Sequence, residues 1–392
     1  MKICTVIAEY NPFHNGHLKQ LRHIKNNLKP DYTIVIMSGN FTQRGDVALL
    51  DKYTRASHAI LGGADLVLEL PQVFACQNAE VFSKGALSIL SKLPGEKTLC
   101  FGAEKDNLED FINLAKVLNN ETKEYKRLLK ENLSQGNSFI LARKQALETL
   151  YKNSNLDLSL LDAPNNILGL EYVKAILKNG YNFNINILKR QDNGFNNDKI
   201  DGEFSSALSI RTAIQNNKIG DIKKAVPSFT FNDLPTLIFN GDSQILYALL
   251  SSSKEKLKEI PDCVEGLENK LKNSLKTCFS VDELLKNLNT KRYTDARIRR
   301  ILINNLLDID KNLVKKCLKN NLYFRVLAIK NGKENLLKEL NNANTLPVIE
   351  RKSSLSKLKG IALKSIEKDI FANDVYSIIT KRQYGELIMK KI

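Results

Sequence analysis

The chain has 392 residues, 43% hydrophobic and 26% charged, which predicts two or three domains of an ordinary soluble protein rather than one core. No apolar run approaches the roughly 20 residues a bilayer span needs, and the start "MKICTVIAEYNPFH" lacks a secretory leader, so a cytoplasmic protein with no membrane partner is expected. Net charge is +16, and the first 200 residues carry 25 Lys+Arg against 21 Asp+Glu while the remainder carries 34 against 22; the excess fits either a polyanionic partner, most simply nucleic acid, or lysine used as solubilising surface.

Strands and helices alternate through the first 200 residues. "KICTVIA" (2–8) is a short β-branched run that predicts a buried strand. "GHLKQLRHIKNNL" follows with Leu18, Leu21, Ile24 and Leu28 at helical spacing, and Pro30 ends it. "YTIVIM" (32–37) predicts a second strand, then comes the polar loop "SGNFTQRGD" (38–46) and a helix over 51–63 closed by Gly62 and Gly63. A third strand (64–71), a helix (79–93) and a fourth strand (97–104) complete the alternation. That order predicts an α/β fold with a Rossmann-like parallel sheet and right-handed crossovers.

Residues 105–160 read as a charged helical insertion. A helix over 166–180, a strand over 182–190 and a helix opening at "SSALSIR" (205–211), with serines placed to cap it, resume the pattern. Beyond about 230 most segments carry helical periodicity; "LYFRVLAI" (322–329) is the one short strand signal. The expected organisation is a sheet domain over 1–230 and a basic, mostly helical C-terminal domain over 231–392, with the boundary near Pro227 and Pro235. The six cysteines are scattered, with no CxxC pair and no Cys/His cluster, so free buried thiols and no structural metal are expected.

Three of the four histidines, His14, His17 and His23, fall within "EYNPFHNGHLKQLRHI". "NPFHNGH" lies where the first strand passes into the first helix, at the carboxyl edge where such sheets bind ligands. The free N–H groups and positive end of that helix make an anion site. Gly16 lets a nucleotide approach the backbone. Imidazoles at i and i+3 project together and can donate to phosphate oxygens, stabilising charge that builds at phosphorus without a protein nucleophile. A lone histidine there reads more simply as a cap or a core residue; H-x-G-H directly after a first apolar strand favours the phosphate reading.

"NPFHNGH" resembles the HxGH signature of the nucleotidylyl-transferase superfamily, whose members bind ATP and let an oxygen nucleophile attack its α-phosphate. "SSALSIR" is similar to the second element of that superfamily, and the resemblance implies that Ser206, Ser209 and Arg211 hold the leaving phosphates. "MSGNFTQRGD", "DKYTRA", "GADLVLELP", "FGAE", "APNNILGLEY" and "KRYTDARIRR" together resemble, within it, the bacterial tRNA(Met) cytidine acetate ligases. This resemblance implies an ATP-dependent ligase that activates acetate as acetyl-adenylate, releasing pyrophosphate, and then acetylates the wobble cytidine N4 of elongator tRNA(Met).

It also implies the site: His14 and His17 catalytic, and a nucleotide cradle of Ile7, Ala8, Glu9, Tyr10, Asn11, Pro12, Phe13, His14, Asn15, Gly16, His17, Leu18, Lys19 and Gln20. Gly102, Asn165 and Arg190 would complete it, with Mg²⁺ on the ATP phosphates. Gly102 and Arg190 fall at predicted strand ends, where an arginine neutralises triphosphate charge; Asn165 reads from its position equally as a helix N-cap. The loop 38–46 is a candidate carboxylate site through Arg44 or its backbone, or an ordinary surface loop. In 290–307, Lys291, Arg292, Tyr293, Arg297, Arg299 and Arg300 would leave a basic flank for RNA, or a solvated arginine stripe. Two other readings stay open: a small-molecule nucleotidyltransferase acting on a phosphorylated cofactor precursor, which leaves the long basic half unexplained, and an RNA-binding protein with a vestigial nucleotide fold.

Overall fold

The structure, a computed structural model, describes residues 1–152, 154–190, 200, 202–288, 293–383 and 388–392. The strands are β1 (Lys2–Ala8), β2 (Tyr32–Ser38), β3 (Leu66–Leu70), β4 (Glu96–Ala103), β5 (Asn184–Lys189), β6 (Phe324–Ile329), β7 (Val348–Ile349) and β8 (Lys390–Lys391). They form one sheet in the order β5-β4-β1-β2-β3-β6-β7, with β8 also on β6. The first five run parallel, and β6 joins β3 antiparallel. β2 and β3 sit in the middle of the sheet and are almost wholly buried, which is why they read as unbroken apolar runs. The chain leaves β1 toward β2 and β3 and later returns on its other side as β4 and β5. The carboxyl end of β1 is therefore the switch point at which a doubly wound sheet opens a crevice.

Capping side chains mark where the helices begin. Asp51 accepts from the Tyr53 and Thr54 amides at 2.9 and 3.0 Å to start Lys52–Leu61, and Asn78 accepts from Val81 to start Ala79–Leu90. The insertion is three helices, Leu108–Asn119, Lys123–Ser134 and Phe139–Leu150. The first packs on helix Pro164–Asn179, and a buried Arg143–Glu171 pair at 3.1 Å ties the third to the same helix.

The segment beyond 230 is mostly helical, yet its strands β6, β7 and β8 extend the same sheet next to β3. The expected boundary near Pro227 and Pro235 thus separates two stretches of chain that share a sheet. Buried polar groups cross this junction. Lys52 pairs with Glu69 at 2.7 Å, Arg325 Nε lies 4.0 Å from Glu69, and Asp369 accepts from the Gln72 amide (2.7 Å) and the Tyr323 hydroxyl (2.5 Å). Periodicity places a helix near 351–366; the chain instead makes a 3-10 turn, Lys352–Lys357, and starts the 21-residue helix Gly360–Thr380 from Gly360 at φ 55°.

Candidate active site

His14 ends the turn after β1 and caps the helix Asn15–His23: its Nδ1 accepts from the Gly16 amide at 3.1 Å, and its own amide donates to His17 Nδ1 at 3.2 Å. The two rings stack with centroids 3.6 Å apart and planes 29° from parallel. A Cβ at Gly16 would lie 2.9 Å from His14 Cε1, so glycine is needed for the ring itself as well as for an approaching ligand. Burial pushes the His14 pKa down to about 3, assisted by Arg190; burial, then His14 and Arg190, holds His17 well below the usual imidazole range. Both rings are therefore neutral. With Nδ1 accepting on each, the proton sits on Nε2, ready to donate to an anion.

Beside this pair opens a cleft lined by Gly16, His17, Lys19, Gln20, Gly102, Leu188, Lys189, Arg190 and Phe204. Six of these nine belong to the expected set. Gly102 keeps the wall low at the end of β4: a Cβ there would reach Arg190 Cγ at 3.5 Å. Arg190 follows β5, its amide bonded to the Ala103 carbonyl at 2.9 Å. Gln20 is oriented by its Nε2 donating to the Cys100 carbonyl at 3.1 Å. Leu188, Lys189 and Phe204 escaped sequence reasoning; Lys19 stands over the Phe204 ring at 5.1 Å, a pairing that no local pattern announces.

The remaining expected residues support the cleft or flank it. Tyr10, at φ 50°, and Phe13 turn inward: the Tyr10 ring meets those of Phe13 and His17 at 4.9 and 4.7 Å. Asn11 is buried and its Oδ1 accepts from Leu49 N at 2.8 Å. Pro12 is buried, Leu18 packs against the core, and Ile7 and Ala8 are half-buried at the end of β1. Asn15 donates to the Lys224 carbonyl at 2.8 Å.

The second motif comes to the first. Ser206 caps the helix Ala207–Gln215, accepting from Ser209 N at 3.0 Å; Arg211 from that helix donates to the Asn11 carbonyl at 2.7 Å and lies 3.9 Å from Asp46. Asn165 is not an N-cap: the helix starts at Pro164 after Ala163, and Asn165 Nδ2 donates to Glu104 at 2.6 Å.

On the β2 side of the histidines stands Glu9. Its Oε1 accepts from Gln43 N at 2.6 Å and Ser38 Oγ at 3.4 Å, and burial raises its pKa against the opposing Gln43 amide and Arg44. The buried Arg55 guanidinium knits this edge together, donating to the carbonyls of Glu9 (2.6 Å), Ser38 (3.1 Å), Leu50 (2.9 Å) and Gly39.

The arginines of 290–307 are engaged within the chain. Arg297 donates to the Asp262 carbonyl at 3.1 and 2.9 Å, Arg300 pairs with Asp262 at 3.1 Å, and Arg299 pairs with Asp282 at 2.8 Å and approaches Asp46 at 3.9 Å. Arg299 alone reaches toward the loop 38–46 while Arg297 and Arg300 hold Asp262, so the three do not form a free basic stripe; Lys291 and Arg292 lie outside the described residues.

The HIGH Nucleotidyl Transferase family profile matches residues 1–390. The chain is 39% identical over 389 residues to the tRNA(Met) cytidine acetate ligase of Thermoanaerobacter sp. (strain X514), covering 97% of this chain and 96% of the relative. It is 38% identical over 392 residues to the protein of that name from Clostridium novyi (strain NT), with the same coverage. Its fold matches the crystal structure of Thermotoga maritima TmcAL bound with alpha-thio ATP at a TM-score of 0.90 and 30% identity, over all of both chains. The chain belongs to the HIGH nucleotidyl transferase family. The expected α/β nucleotidylyl-transferase fold is thus borne out, and no helix among the described residues is long and apolar enough to cross a membrane.

Proposed function

We propose that this chain is an ATP-dependent ligase, cytoplasmic, that activates acetate as acetyl-adenylate and acetylates N4 of the wobble cytidine of elongator tRNA(Met). The observation that carries the reading is the pair of stacked, neutral histidines beside a cleft, in a chain alike over 97% of its length to tRNA(Met) cytidine acetate ligases.

ATP enters the cleft with its base and ribose between Gln20, Gly102, Arg190 and Phe204, and Asn165 at its edge. Acetate attacks the α-phosphorus in line. His14 and His17 donate Nε2–H to the charge that develops there; being neutral, they are hydrogen-bond donors rather than fixed cations. Ser206 and Ser209 at the start of helix Ala207–Gln215, together with Arg211, hold the departing pyrophosphate. Mg²⁺ would enter with ATP and offset the charge of its phosphates; among the described residues no group of three His, Cys, Asp or Glu side chains is placed to hold a metal. The second step transfers the acetyl group to RNA, which meets the basic helical stretch within 231–392.

ATP–pyrophosphate exchange on the purified chain, with acetate, propionate, phosphopantetheine or nicotinamide mononucleotide, and with or without tRNA, tests this. Exchange that requires acetate and disappears in His17→Ala is the expected result. Exchange supported by a phosphorylated precursor and not by acetate overturns it in favour of a small-molecule nucleotidyltransferase.

A further inference from the structure

The transfer step leaves a proton unaccounted for. The exocyclic amine of cytidine is a weak nucleophile because its lone pair is delocalised into the ring, and once it attacks a carbonyl it becomes strongly acidic. A base beside the acyl group is therefore worth roughly 10²–10⁴-fold. We propose that Glu9 is this base: its Oε2 takes the N4 proton as the acetyl group passes to the amine. The proposal rests on the ligase reading above.

Placement supports it. The nucleoside cleft lies on the β4–β5 side of the histidines, so the acyl end of the adenylate faces the β2 side, where Glu9 stands at the carboxyl end of β1. Glu9 Oε1 is pinned by Gln43 N and Ser38 Oγ, which holds the carboxyl in place; Oε2 makes no hydrogen bond among the described residues. The other carboxylates near this edge are committed. Asp46 lies between Arg211 and Arg299, each at 3.9 Å, and Glu104 is held by Asn165 Nδ2 and Asn166 N at 2.6 and 3.0 Å.

The charged groups facing Glu9 are Arg44 and Asp46 from the loop 38–46, Arg211 from helix Ala207–Gln215 and Arg55 from helix Lys52–Leu61. The cationic ones keep it ionisable, while burial makes it a stronger base than an exposed carboxylate, in the direction that suits proton transfer near neutral pH. In the step, the N4 lone pair forms the C–N bond and the bond from acyl carbon to phosphate oxygen breaks. AMP leaves with that electron pair, and one N4 proton passes to Glu9, which returns it to solvent.

The test separates the half-reactions on the full chain. Acetate-dependent ATP–pyrophosphate exchange reports adenylate formation, and single-turnover transfer of labelled acetyl to unmodified elongator tRNA(Met) reports the second step. Glu9→Gln keeps an oxygen for Gln43 N and Ser38 Oγ but removes the base. Transfer should fall about 100-fold or more, several times further than exchange, and the rise of the transfer rate with pH seen in the natural chain should vanish; Glu9→Asp should restore part of both. Equal losses in exchange and transfer, or a pH profile that survives Glu9→Gln, overturn the proposal. Absence of acetate-dependent exchange in the unmutated chain instead overturns the ligase reading beneath it.

Discussion

Glu104 holds Asn165: one carboxylate oxygen accepts from the Asn165 amide at 2.6 Å, and the other accepts from the backbone of Asn166 at 3.0 Å. The bond fixes which end of Asn165 is spent on the protein. Its Nδ2 faces Glu104, so Oδ1 is the atom left to meet a nucleotide.

Removing this brace should weaken ATP binding more than chemistry. Glu104→Ala frees Asn165 to turn, at the loss of a charge-assisted hydrogen bond of about 1.5–3 kcal/mol. KM for ATP in acetate-dependent exchange should rise roughly tenfold while kcat changes less. A fall in kcat with KM unchanged would place Asn165 outside nucleotide binding.

The buried His14 predicts an acid-side loss of stability. His14 has a folded pKa of about 3 against an ordinary value of 6.5. Above pH 6.5 the folded and unfolded states hold the same proton count at this ring. As pH falls below 6.5, the unfolded chain takes up a proton that the folded chain refuses, so stability drops. At pH 5 that one group should cost about 2 kcal/mol relative to pH 7.5. In His14→Asn, which retains a favoured N-cap, the gap between denaturation midpoints at pH 7.5 and pH 5 should narrow by about that amount. An unchanged gap means that the ring is solvated in the folded state.

The first five strands were legible because each is a short apolar run bounded by turn residues, and the histidine pair because HxGH is a local pattern at a fixed place in such a sheet. What escaped was long-range. "LYFRVLAI" reads as a strand, but nothing in its own residues says that it lies antiparallel to β3 across 250 residues of chain. β7 and β8 have two residues each, too few to show alternation. Arg297, Arg299 and Arg300 looked like a free basic flank because Asp262, Asp282 and Asp46, which receive them, are distant in sequence. Glu9 was visible within the cradle, yet its spare oxygen became apparent only with Gln43 and Ser38 in place.

Gly16→Ala separates geometry from fold. The new methyl would stand 2.9 and 3.0 Å from His14 Cε1 and Nδ1, so the ring must shift from its place against His17, 3.6 Å away between centroids. Alanine suits a helix better than glycine does by about 0.5–1 kcal/mol, which offsets part of the clash. The melting temperature should therefore move little while kcat for exchange falls about 10²-fold, as expected for misplaced donors at the reacting phosphorus. Full activity in this variant would show that the His14 ring position is not critical.

Arg55 makes the opposite case, a residue that acts through stability. Its guanidinium is fully buried and has no carboxylate within ion-pair distance among the described residues; it satisfies four backbone carbonyls from the ends of β1 and β2 and the loop that follows. Burial lowers its pKa, but several nearby acidic groups keep the charged form favoured. Arg55→Met fills most of the volume and removes every donor, stranding carbonyls that cost about 1–3 kcal/mol each when unpaired. A total loss of about 3–5 kcal/mol is expected, since water will reach some of them. Chemical denaturation should record that loss. Activity, measured well below the new midpoint, should fall as well, because Glu9 and the loop 38–46 are positioned by the same guanidinium. A stable Arg55→Met protein would mean that water replaces the guanidinium at these carbonyls.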